Sequence, residues 1–207
     1  MKFLFVLDHP YGAGASENVI HHRSYTAALA AAAMRGVRGA GHEVDLIDLI
    51  EDGFNPVMTK EDLAGWRLKT VVDPVAADYQ RRLMEADHLV FAFPIWWESM
   101  PAGTKGFLDK VLTKGIVYSE PDKPGLFING IKNIKSVSLI TVMSTPSFVY
   151  RWILGNPLPK VMFRGTFRKI GVKKLRWFSA VDPASKTLEA RQRELLETET
   201  QFARLFS

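Results

Sequence analysis

The chain alternates between short apolar runs and longer stretches of helical spacing. The run Leu89-Val90-Phe91-Ala92-Phe93 follows Asp87 and stops at Pro94. Its length and unbroken apolarity predict a strand buried on both faces, in the middle of a parallel sheet. Proline has no N–H to donate, so Pro94 is expected to end the ladder. Residues 2–7 form a second continuous run and predict the first strand, which breaks at Asp8-His9-Pro10. Residues 42–49 alternate, with Val44, Leu46 and Leu49 against Glu43, Asp45 and Asp48, as in a half-buried strand nearer a sheet edge. Residues 136–143 and 175–181 complete a set of five strands.

Helices fall between the strands. Residues 25–38 are rich in alanine, with Ser24 placed as an N-cap and Gly39 or Gly41 as the stop. Thr59-Lys60-Glu61-Asp62 predicts a short capped helix, residues 74–86 carry helical spacing, and Pro101 opens a further helix bearing Lys105, Phe107, Leu108, Lys110 and Val111. Residues 148–167 are expected to be helical in parts, and 183–206 to form a terminal helix. Residues 114–134 are expected to be one long loop. Strands alternating with helices predict a single α/β domain over residues 1–207, its parallel sheet covered on both faces.

Composition narrows the function. The 207 residues are 47% hydrophobic and 24% charged, the range of an ordinary soluble domain. Cysteine is absent, which removes disulfides, thiolate chemistry and Cys-containing zinc sites. No apolar run reaches the roughly 20 residues of a membrane span, and no secretory leader is recognisable, so a cytoplasmic protein without membrane insertion is expected. The net charge is +5, and basic residues crowd between Lys160 and Arg176. They accompany no nucleic-acid motif and are interleaved with apolar positions, so a solvated helix face is the favoured reading, with no nucleic-acid partner.

Three loops are expected at the carboxyl end of the sheet, where open α/β folds bind ligands. Residues 8–26 lead into a helix mouth whose first-turn N–H groups and dipole suit an anion, though neither the Walker nor the Rossmann glycine spacing is present. Ser24 as a plain cap is the simpler alternative. Residues 94–99 carry Trp96 and Trp97, either a flat wall for a conjugated ligand or caps on the core. Residues 143–150 bring small polar groups. A phosphate sink beside a slot for a planar heterocycle is what a flavin nucleotide requires.

The blocks Asp8-His9-Pro10, Ser24-Tyr25-Thr26, Phe54-Asn55-Pro56-Val57-Met58, Phe93-Pro94-Ile95-Trp96-Trp97 and Pro101-Ala102-Gly103-Thr104-Lys105-Gly106-Phe107-Leu108-Asp109-Lys110-Val111 resemble those of the NAD(P)H quinone dehydrogenase family. These are flavodoxin-like flavoproteins that include bacterial NAD(P)H-dependent oxidoreductases and potassium-efflux ancillary proteins. The resemblance implies a flavodoxin-like fold of strand order 2-1-3-4-5, FAD or FMN at the switch point, NAD(P)H as co-substrate, a quinone-like planar acceptor, and a homodimer. It implies that His9, Ser24, Tyr25 and Thr26 hold the flavin phosphate and that Pro94, Ile95, Trp96 and Trp97 flank the ring. It places Thr141, Met143, Ser144 and Thr145 beneath the ring, and Tyr150, with Asn156, as catalytic groups stabilising the reduced state. No metal is implied.

Three departures stand out. The turn Val142-Met143-Ser144-Thr145-Pro146 lacks the family's glycines, Asn156 stands near the family's histidine, and the loop 11–23 is longer than usual. A two-step exchange is expected, with NAD(P)H and the acceptor using one place in turn. A flavodoxin-type electron carrier and a flavin-binding ancillary subunit of a transporter are the alternatives. Such carriers are typically acidic, whereas this chain is basic.

Overall fold

The computed structural model describes residues 1–17, 19–121 and 127–206. Five parallel strands form the main sheet: β1 (Lys2–Leu7), β2 (Glu43–Asp48), β3 (His88–Pro94), β6 (Ser136–Met143) and β7 (Lys174–Val181), in the order β2-β1-β3-β6-β7. This is the expected 2-1-3-4-5 pattern counted over the strands of that sheet. The connection reverses direction between β1 and β3, which creates a switch point at their carboxyl ends.

Side chains alternate across the strands and feed two cores. Phe3, Phe5, Val90, Ala92 and Ile140 meet the alanine face of α1 (Tyr25–Gly39) and Phe202 of α7 (Leu188–Leu205). Leu4, Val6, Leu89, Phe91, Phe93 and Leu139 meet Tyr79 and Leu83 of α3 (Pro74–Glu85) and Phe107 and Val111 of α4 (Ala102–Val111). Local chemistry starts the helices where expected. Ser24 accepts from Ala27 N, Thr59 and Asp62 close a capping box on α2 (Lys60–Arg67), and Asp73 caps α3 ahead of Pro74. Between α2, α3 and α4, the buried Lys110 pairs with Asp73 at 2.5 Å and Asp62 at 3.3 Å, clasping the three helices together.

As expected, β3 ends at Pro94, the last residue to pair, opposite Val142, while Ile95 N–H beyond it donates to Val142 O at 2.8 Å. The missing N–H does no harm because it faces the β1 side, where β1 has already ended at Leu7. One expectation needs correction: the stretch 114–134 is not one loop. It carries a small antiparallel pair, β4 (Tyr118–Ser119) and β5 (Ile128–Asn129); residues 122–126 of the expected loop lie outside the described residues. Between β6 and β7 the chain is helical throughout most of its length, wound mainly as π-helix at Val149–Ile153 and Lys160–Phe167, with short α5 (Pro157–Pro159) and α6 (Arg168–Ile170). Among the described residues no helix is long and apolar enough to cross a membrane.

Candidate functional site

The three loops predicted to meet do emerge from adjacent strands at one end of the sheet, and hydrogen bonds lock them together. Asp8, just past β1, donates its N–H to Ala92 O of β3. Its buried carboxylate accepts from both the backbone N–H and the Oγ1 of Thr104 in the first turn of α4. Pro101 offers that helix no side-chain cap, so Asp8 supplies one from another element. Gly103 leaves the room, since a Cβ there would lie 2.7 Å from the Asp8 carboxylate. Burial pushes the Asp8 pKa up, opposed by the Thr104 hydrogen bonds and aided by nearby Asp48.

The loop after β1 is held to the sheet by Asp48, whose Oδ2 accepts from Ala13 N at 2.6 Å. Gly12 makes this possible: its φ is +63°, and a Cβ there would strike Glu51 and Asp48. The loop then returns to α1, where Ser24 N–H donates to Ala15 O. Ser24 Oγ accepts from Ala27 N at 3.1 Å, so Ser24 caps the helix and keeps its hydroxyl proton to donate. The first-turn N–H groups of Tyr25 and Thr26 take no acceptor among the described residues, which leaves them for an anion. Half-buried His9 lies on the same loop. Its Nδ1 accepts from Tyr11 N, which puts the proton of the neutral ring on Nε2, and burial lowers its pKa. The Tyr25 side chain is committed elsewhere, its hydroxyl bonded to Glu194 Oε2 at 2.7 Å on α7, and Thr26 is buried. What these two residues leave open is backbone, not side chains.

Beyond β3 the chain makes a two-residue turn. Trp96 and Ser99 exchange N–H···O bonds at 3.1 and 3.0 Å, and Trp97 and Glu98 between them have φ of 49° and 61°. Two positive φ values in succession mark a type I′ turn, a geometry normally left to Asn and Gly. Trp96 is half-exposed and Trp97 is 100% exposed. Neither caps the core; the fully exposed Trp97 indole is available to a ligand or a second subunit. Pro94 and Ile95 lie at the base of this wall and are partly buried.

The loop after β6 meets the turn from the far side. Thr145 Oγ1 donates to Glu98 Oε1 at 2.7 Å, while Ser144 is exposed beside it. Thr141 and Met143 face inward: Thr141 Oγ1 accepts from Trp177 Nε1 at 2.8 Å, and Met143 is part of the core. Only their backbone can reach a ligand. Tyr150 is 0% exposed; its hydroxyl donates to Glu98 O at 2.9 Å and accepts from Leu158 N at 3.1 Å. Burial pushes its pKa up to about 12. These bonds make Tyr150, the expected charge-stabilising tyrosine, a strut beneath the aromatic turn. Asn156 adopts a left-handed conformation with φ 56°, and its N–H donates to Tyr150 O at 2.8 Å. It too belongs to the scaffold of the turn, although its buried Oδ1 has no partner among the described residues.

A group that sequence reasoning did not single out is Glu98. Its Oε2 is also buried without a donor among the described residues. The only signal for it was its place two residues after Trp96. A cavity of about 620 Å³ opens beside the α1 mouth, between Arg23, Ser24, Tyr25 and Pro183, Leu188, Arg191. A second, of about 520 Å³, lies along the outer face of α7 and is lined by that helix alone. Among the described residues no cluster of His, Asp or Glu could hold a metal ion. The residues present fit a flavin nucleotide on their donor chemistry: unpaired N–H groups for its phosphate, an exposed aromatic wall for its ring, and an unpaired acceptor for a ring N–H.

Residues 1–202 match the model of the Flavodoxin_2 family, described as flavodoxin-like fold, and the chain belongs to that family. It is 37% identical over 103 residues to a protein named uncharacterized NAD(P)H oxidoreductase YcaK from Escherichia coli, covering 49% of this chain and 53% of that one. It is 29% identical over 126 residues to the ribosyldihydronicotinamide dehydrogenase [quinone] of Pongo abelii, with 53% of each chain covered. The matched region thus spans about half the length of these curated relatives; an NAD(P)H oxidoreductase of Haemophilus influenzae matches at 24% identity over 86% of this chain and 82% of its own. Among solved structures, an NAD(P)H:quinone oxidoreductase from Methanothermobacter marburgensis superposes with a TM-score of 0.80 at 20% identity, covering 99% of this chain and 98% of that one. An FMN-dependent NADH-azoreductase from Bacillus anthracis superposes with a TM-score of 0.77 at 13% identity, covering 100% and 99%. At these identities the two structures show the fold.

Proposed function

We propose that this chain is a flavin-dependent NAD(P)H oxidoreductase of the quinone-reductase type, passing two electrons from NAD(P)H to a quinone or similar planar acceptor. The observation that carries the reading is the union of an unfilled helix mouth and an exposed tryptophan turn, fastened at one sheet end through Asp8, Ala92 and Thr104. The names of the curated relatives support it. A bound flavin would supply the redox chemistry. The chain supplies the rest: Tyr25 and Thr26 N–H groups and His9 Nε2 hold the phosphate, and Trp96 and Trp97 shape the slot and exclude water. The cavity with its two arginines, beside the phosphate mouth, favours an FAD-length tail over FMN, since a second phosphate and a purine need both charge and volume there. Phe148, Trp152 and Ile153, which follow the site's third loop in the chain, and Val161 are exposed apolar residues, and we assign them to a homodimer interface.

Steady-state kinetics with NADH or NADPH against a soluble quinone test the reaction. A single place used in turn gives parallel double-reciprocal lines; intersecting lines refute the shared slot, and no NAD(P)H oxidation by flavin-loaded protein refutes the enzyme.

A further inference from the structure

The turn at Trp97-Glu98 is more than a wall. A two-residue left-handed conformation without glycine persists only where surrounding contacts over-determine it, and such strain gathers at ligand clamps. Here the contacts are known. Thr145 Oγ1 donates to Glu98 Oε1, and Tyr150 Oη donates to the Glu98 carbonyl. Side chain and backbone of Glu98 are therefore both aimed from the β6 side. What the two anchors leave over is Oε2, buried and lacking a donor among the described residues. A buried acceptor without a partner is unfavourable, and native proteins rarely keep one without a use.

We propose that Glu98 Oε2 recognises the imide N–H of the flavin's pyrimidine ring, with Thr145 as the residue that positions it. This rests on the reading that the cleft holds a flavin. Chemistry selects the atom. An oxidised isoalloxazine carries a single N–H, at N3; N1, N5, O2 and O4 all accept. An ionised carboxylate only accepts. A carboxylate oxygen is thus complementary to N3–H and repelled by every other polar atom on the oxidised ring's edge. Its place is at the junction of the loops after β3 and β6, the two that flank the ring under the proposed function. Planar ligands without an imide leave Glu98 unsatisfied, so the contact selects a flavin over other flat aromatics.

The test is binding, read by flavin fluorescence or equilibrium dialysis on folded apo-protein, with riboflavin 5′-phosphate and its N3-methyl derivative. Methylation removes the one donor and changes little else. Wild-type protein is expected to bind the methylated compound about 10-fold or more weakly, the scale of a lost hydrogen bond to a buried charged acceptor. In E98G, which accepts the positive φ and removes the carboxylate, the ratio of the two affinities falls toward unity. Equal affinities in the wild type, or an unchanged ratio in E98G, overturn the Glu98 contact while leaving the flavin reading standing. Failure of folded wild-type protein to bind either compound overturns both.

Discussion

Trp97 and Tyr150 meet at the same turn yet do opposite work. The fully exposed Trp97 side chain has no packing to lose, and its φ of 49° is strained for a non-glycine residue. Trp97→Gly is therefore expected to change unfolding free energy by less than about 1 kcal/mol, the relief of strain offsetting the entropy glycine loses on folding. Flavin affinity should nonetheless fall. Tyr150→Phe has the reverse profile. It strips a partner from both Glu98 O and Leu158 N, and is expected to destabilise the fold by about 1–3 kcal/mol. Denaturant titrations of both variants check this; a strongly destabilised Trp97→Gly or a neutral Tyr150→Phe contradicts the division of labour. Of the two roles, only the tryptophan's was legible beforehand. The tryptophans announced themselves by composition, but Tyr150 reaches Glu98 across 52 positions, and no local pattern reports such a contact. The same holds for Thr141, whose hydroxyl accepts from Trp177 on the neighbouring strand.

Elements were easier to read than their edges. Strands β1 and β3 stand out by continuous apolar runs because both their faces are buried, β6 is rich in β-branched residues, and caps such as Ser24, Thr59 and Asp73 mark helix starts through their own hydrogen bonds. Pro94 closes β3 as its chemistry suggests, but that its missing N–H is harmless depends on which neighbour has already ended, a property of the sheet and not of the residue. At the opposite end of β3, His88 tests how tightly the element is sealed. It is 6% exposed, stacked on Phe3, with Nδ1 at 2.7 Å from Ser136 Oγ. Burial lowers its pKa from 6.5 to about 4. Between those values the unfolded chain binds a proton that the folded chain refuses, so stability falls as pH drops from about 6.5 toward 4. Chemical denaturation across that window should show the loss, and His88→Phe should flatten the slope. An unchanged slope in the variant assigns the effect to other groups. Depressed carboxylates such as Asp45, paired with Arg82, add their own loss only at lower pH.

At the scale of the whole molecule, the alternation of strands and helices was sufficient for the fold, because a parallel sheet with covered faces is nearly the only way to bury such runs. What it could not show is the surface the fold leaves uncovered. Trp152 is 85% exposed in a π-helical turn beside the site. If that face pairs two subunits, Trp152→Glu should yield folded monomer by light scattering where the wild type runs as a dimer. A monomeric wild type would remove the assembly. The joining of helix mouth and tryptophan turn into one flavin cleft is the claim on which all else depends. Titration of apo-protein with FAD and FMN, followed by quenching of flavin fluorescence, tests it most directly. Saturation at one flavin per chain, weakened in Trp97→Gly, is the expected result; a folded protein that shows no saturable binding of either flavin contradicts it.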